Sequence, residues 1–223
     1  HLSEFVIYEP GFKQSPISFK SKDLIDHCQT FWNSENYLLT RILINEAIIN
    51  EKVFEIYELT SEDRSMVLAK EGECIGTMAV ESAAKASYLE NEEATKEFPL
   101  DHIKTFIEEL PEKSFSAEEK EAIISEFPNL YKSNNDLEEF CNRHQVNPIN
   151  VWYWFKQSKV VPAHRAHDIA MEFLADLLRE ILMEDDDGIV PLVRNSGEEV
   201  LVNRIEKKFY EKGFSTAQYS QFS

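Results

Sequence analysis

The chain has 223 residues, enough to bury one large core or two small ones. Its 41 acidic residues against 23 basic ones give a net charge of -18, which excludes wholesale electrostatic binding to nucleic acid or an anionic membrane, so any such contact needs a local patch. With 43% hydrophobic residues and only 6 glycines, the composition is globular and argues against a β-sandwich or a low-complexity chain.

Residues 1–21 carry Pro10-Gly11 and Pro16 and read as an extended lead-in with one short strand. From Asp23 to Leu59 the pattern turns helical, with Leu43, Ala47, Ile48, Phe54 and Tyr57 at helical spacing. Thr60 with Asp63 marks the start of a second helix that Gly72 ends. Residues 81–139 hold 16 acids and 6 lysines and are expected to form solvated helix faces, with Ser116 and Glu119 as a capping box and Pro111 and Pro128 as punctuation. Asn135 is placed to cap "DLEEFCNRHQ", "VNP" breaks that helix, and another runs from about Ile149 to Lys159.

Pro162 then sits in the first turn of a long helix whose apolar residues fall at Ala166, Ile169/Ala170, Phe173/Leu174, Leu177/Leu178 and Ile181/Leu182. Asp168, Glu172, Asp176 and Glu180 lie off this stripe, which is expected to be core. Gly188 is the natural stop, and "IVPLV" is expected as a short edge strand because Pro191 lacks a donor. "EEVLVNRIEKKFYEKG" closes the chain as an amphipathic helix with Val200, Ile205 and Phe209 inward and Gly213 as its stop. The expected fold is mainly α, a multi-helix domain with a helix-turn-helix-like corner and two or three short strands. It divides into a lead-in (1–21), a helical acidic part (22–133), and the corner with the long buried helix and the C-terminal helix (134–223); the last two can form one continuous domain.

The chain has no glycine-rich strand-to-helix loop for a dinucleotide or phosphate and no G-x-S-x-G elbow. Its carboxylates lie in charge runs that single out no general acid or base. Asp185-Asp186-Asp187-Gly188 lacks the alternating ligands and closing Glu of a calcium loop. Cys141, His144, His164 and His167 form a C-x2-H…H-x2-H spacing, a weak zinc candidate because structural zinc sites usually contain two or more thiolates. Three scattered cysteines, Cys28, Cys74 and Cys141, suit a reducing cytoplasm. No apolar run approaches the roughly 20 residues of a membrane span, and no signal peptide is expected. The start at His1 without Met reads as a piece of a longer protein.

"INVWYWFKQSKVVPAHRAH" is the main functional candidate. From Phe140 to His167 there are four bases and no acid, in a chain that is otherwise strongly acidic. A short helix, a three-residue break and a second helix have helix-turn-helix proportions. Arg143, Lys156, Gln157, Lys159 and Arg165 are the candidate DNA-binding residues. Lysine and arginine meet phosphate or guanine, and glutamine can read adenine. The competing expectation is a purely structural corner, with Trp152 and Phe155, three apart, packed inward.

Two stretches carry a family resemblance. "LINEAIINEKVFEIYELTSED", through Asn45, Glu46, Ile49, Asn50, Phe54, Tyr57 and Leu59, resembles a segment of the large adenine-specific DNA methyltransferases of phage defence. These are the PglX family of BREX systems and its type IIG restriction-modification relatives. "AMEFLADLLREILMEDDDGIVPLV" followed by "GEEVLVNRIEKKFYEKGF" is similar to that family's downstream order, an apolar helix, an Asp/Gly turn into G-I-x-P-L, and an acidic helix. The chain departs from the family in lacking the methyl-donor glycine loop and the Asn-Pro-Pro-Tyr motif.

The resemblance therefore implies a non-catalytic helical accessory domain of a cytoplasmic enzyme. The parent would use S-adenosylmethionine to methylate adenine, with DNA and defence-system proteins as partners, and this chain would carry no catalytic residue. The alternative is a stand-alone acidic helical module that docks a basic protein partner.

Overall fold

The computed structural model describes residues 24–72, 74–94, 101–130, 137–194 and 197–222. The fold is mainly α, with ten α-helices among the described residues: α1 (Leu24–Ile56), α2 (Ser61–Glu71), α3 (Ser82–Ala94), α4 (Asp101–Glu109), α5 (Ala117–Ser125), α6 (Leu137–His144), α7 (Pro148–Ser158), α8 (Ala163–Glu184), α9 (Leu201–Glu211) and α10 (Thr216–Phe222). The residues group into two compact units, Trp32–Pro162 and a second that joins the chain up to Phe31 with the residues from Ala163 onward.

In the first unit α1 buries Trp32, Tyr37, Thr40, Leu43, Ile44 and Ala47, a row at helical spacing. The capping boxes expected at α2 and α5 both form. Thr60 Oγ1 accepts from Asp63 N at 3.2 Å, and Ser116 Oγ accepts from Glu119 N at 3.1 Å. A 3-10 turn at Ile75–Thr77 presses onto α1 at Gly76, where a Cβ would stand 2.7 Å from the Ala47 Cβ and 2.8 Å from the Leu43 carbonyl oxygen. Only glycine permits that approach. The chain then runs past Val80, which forms a single parallel bridge to Glu112: Val80 N donates to Pro111 O at 2.8 Å and Lys113 N to Val80 O at 3.1 Å.

Two asparagines hold this 76–81 segment. Asn147 caps α7, its Oδ1 accepting from Ile149 N at 2.9 Å while Nδ2 donates to Gly76 O at 3.1 Å and Met78 O at 2.8 Å. Asn150, one turn on, donates to Ala79 O at 3.1 Å and accepts from Glu81 N at 2.8 Å. Both side chains are fully buried. They supply the partners that backbone groups of an irregular buried segment require. Around this latch Tyr37, Tyr88 and Trp152 form the aromatic centre of the core, with ring centroids 5.2–6.1 Å apart. Lys85, largely buried, donates to the carbonyls of Glu108 at 2.8 Å and Leu110 at 2.9 Å and so caps the end of α4.

In the second unit α8 buries Ile169, Phe173, Leu177 and Ile181, the centre of the expected stripe. Phe173 packs against Phe209 and Phe214 at 5.6 and 5.5 Å. Lys212–Glu180, Lys208–Glu184 and Arg204–Asp185, each at 2.6 Å, descend along α9 as they ascend along α8 and beyond it, so the two helices are antiparallel. Two residues depart from the expected stripe. Asp176, expected outside, is buried and accepts from Arg179 Nη2 at 3.2 Å, and Leu182 is exposed.

The short strands are the correction to the expected fold. Among the described residues no strand forms. "IVPLV" is an open loop in which Ile189, Leu192 and Val193 are 70–77% exposed. Pro191 removes a donor and no neighbouring strand offers a ladder; the proline's carbonyl instead accepts from Leu201 N at 2.9 Å at the start of α9. The strand expected within 1–21 and the Asn135 cap lie outside the described residues.

Asn147→Ala strands the Gly76 and Met78 carbonyls and the Ile149 amide. Urea denaturation is expected to show a loss of about 1–3 kcal/mol. Asn142→Ala, at an exposed position of α6, should stay within about 0.5 kcal/mol.

Candidate functional site

The basic aromatic stretch is built on α7, and α7 is largely interior. Pro148, Ile149, Asn150, Val151, Trp152, Trp154 and Phe155 are buried, and Tyr153 is half-buried. Phe155 stacks on Trp32 at 5.9 Å and meets Phe127 at 4.9 Å, while Trp154 meets the edge of Phe115 at 5.0 Å. The aromatics are therefore core. What the helix turns outward is its last turn, where Lys156, Gln157 and Lys159 are exposed. The Lys156 ammonium lies 5.1 Å from the centre of the Trp152 ring. Lys159 ends the helix in the left-handed conformation, φ 54°.

The other two candidates lie on other helices. Arg143 is exposed on α6, its guanidinium 5.7 Å from the centre of the Phe140 ring. Arg165 is half-buried at the start of α8, in the second unit. A recognition helix usually meets base edges with its N-terminal residues. Here those residues are buried, so the geometry suits contact by the C-terminal turn with phosphate better than base readout by the helix axis.

The zinc candidates are divided in the same way. Cys141 is buried and His144 half-buried in the first unit, and His164 and His167 belong to the second. Among the described residues no group of three or more His, Cys, Asp or Glu side chains is placed to hold a metal. The His144 ring packs on Phe140 at 4.5 Å with Nε2 enclosed and unbonded. Burial, helped by Arg143 and opposed by Glu126, pushes its pKa below the usual histidine value. His164 Nε2 stands 4.0 Å from Asp168 Oδ2. Asn147-Pro148 is the chain's one Asn-Pro pair, and its amide is committed to the fold by three hydrogen bonds, so it does not serve as a base-binding amide.

Two features have no local signal in the sequence. Glu81 accepts from Trp154 Nε1 at 2.9 Å and pairs with Lys120, joining residues 73 and 39 positions apart. Burial opposes ionisation of this carboxyl, but the Lys120 and Trp154 hydrogen bonds together outweigh it and hold the pKa below the usual range. A groove of about 610 Å³ opens between α1 and α4, floored by Ile48, Phe106 and Leu110 and edged by Glu51, Glu55 and Glu109. No helix among the described residues is long and apolar enough to cross a membrane. Compared with protein-family models, curated proteins and solved structures, the chain matches none.

Because the folded Glu81 pKa is depressed, its contribution to stability is present above the unfolded carboxyl value, about 4.3, and is lost as the pH falls through the folded value. Glu81→Gln is expected to reduce the difference in unfolding free energy between pH 7 and pH 3. An unchanged difference in urea titrations contradicts this assignment.

Proposed function

We propose that the chain is a non-catalytic helical accessory domain of an adenine-specific DNA methyltransferase of the PglX and type IIG kind. In this reading α6 and α7 form a helix-turn-helix-like corner that supports DNA contact in the cytoplasm. The observation that carries the reading is the exposed last turn of α7. Lys156, Gln157 and Lys159 stand on a helix whose remaining turns are packed into the core, in a 28-residue stretch without one acid. Cations on a rigid support lose little freedom on meeting phosphate. The acidic surface elsewhere repels DNA and favours approach by this end.

Methyl transfer from S-adenosylmethionine to a flipped adenine belongs to the parent's catalytic domain in this proposal. The resemblance through Asn45, Glu46, Ile49, Asn50, Phe54, Tyr57 and Leu59 supports the parentage, as does the order of α8, the Asp/Gly turn and α9.

A second reading, an acidic module that docks a protein partner, is favoured by a different feature. The outer face of α1 exposes Ile42, Ile49, Val53 and Ile56.

The two readings separate in the full-length enzyme. Lys156→Ala with Lys159→Ala is expected to weaken DNA binding and to reduce the slope of log affinity against log salt by up to about 2, one for each phosphate that a lysine no longer neutralises. Identical affinity and slope would contradict the DNA role. A salt-sensitive protein partner that still binds the double variant would favour the second reading.

A further inference from the structure

We propose that the outward face of α1, together with the groove beside it, is a docking surface for a cationic amphipathic helix. Ile42, Ile49, Val53 and Ile56 are 48, 59, 40 and 76% exposed. Their spacings of 7, 4 and 3 residues place all four within one narrow arc of the helix, opposite the row that α1 buries. The row is about 21 Å long at the rise of an α-helix. A straight row at this spacing is what a second helix packs along, with its side chains seated between the ridges.

The charge around the row selects the partner. Glu46, Glu58 and Glu109 have no cationic partner among the described residues, whereas Lys52 and Arg64 are spent on Glu55 and Glu51 at 2.8 and 3.0 Å. Lys52 stands on the rim of the groove and one helical turn from both Ile49 and Ile56, so groove and row are neighbours. The groove has the apolar side chains Ile48 and Phe106 and three carboxylates, Glu51, Glu55 and Glu109, against the one lysine, Lys52, and His102, a balance that suits the stem and head of a lysine or arginine. A second copy of this chain fits poorly, because pairing two such faces sets the same acidic rims against each other in molecules that each carry a charge of -18. The proposal rests on the second reading above, a module that docks a protein partner, and not on the DNA reading, which concerns α7.

The test uses the whole chain and three fluorescent peptides of about 18 residues. One is a leucine/lysine amphipathic helix, one has the same composition scrambled, and one is a leucine/glutamate amphipathic helix. Anisotropy titrations at physiological salt are expected to give binding of the leucine/lysine helix about tenfold or more tighter than of either control. Ile49→Ser with Ile56→Ser, both on exposed positions, should lower that affinity about tenfold, and Glu46→Gln with Glu109→Gln several-fold, with thermal melting unchanged. Equal binding of amphipathic and scrambled lysine peptides overturns the proposal, as does affinity that survives the two isoleucine changes. So does self-association of the chain that those changes abolish, which would make the occupant a second copy.

Discussion

The first unit depends on the pair of buried asparagines at the start of α7. A partly buried segment runs through 76–81, and beyond the 3-10 turn and the single bridge at Val80 the backbone of Gly76, Met78, Ala79 and Glu81 finds its partners in side chains. Asn147 and Asn150 supply those partners. Each carries a donor and an acceptor, which a hydrophobic residue lacks and a charged one would bring at a large desolvation cost. The same hydrogen bonds set the position of α7, and the aromatic core is arranged about it. Gly76 completes the arrangement by letting the held segment reach α1.

This constraint links the fold to the proposed function. A helix fixed at its first turn by buried hydrogen bonds and along its length by Trp152, Trp154 and Phe155 ends in an exposed turn. The exposed side chains there are two lysines and a glutamine. Core and proposed binding surface thus share one helix, and a change at Asn147 would disturb both. The outer face of α1 shares no residue with the end of α7, so the two surfaces allow separate experiments on DNA and on protein partners.

Features built from neighbours in the chain were readable in the sequence. Both capping boxes lie within four residues, and the burial of α8 follows from its stripe. The inward packing of Trp152 and Phe155 follows from their spacing. What escaped is long-range. "VNP" reads as a helix break, and nothing nearby tells that Asn147 and Asn150 bind a backbone about 70 positions earlier. Glu81 reads as one acid in a charge run, although Trp154 and Lys120 make it an anchor. "IVPLV" has the residues of a strand, but a strand exists only where another edge receives it. α1 is apolar on two faces, and periodicity alone does not tell which of them the core takes.

If the last turn of α7 meets DNA, its backbone changes on binding. Hydrogen–deuterium exchange of the proposed full-length parent protein, free and saturated with duplex DNA, reads that contact. Slower exchange in the complex is expected for the backbone of residues 156–160, with the buried first turns of α7 unchanged. Saturated DNA binding that leaves 156–160 as it was, while other segments become protected, would contradict it.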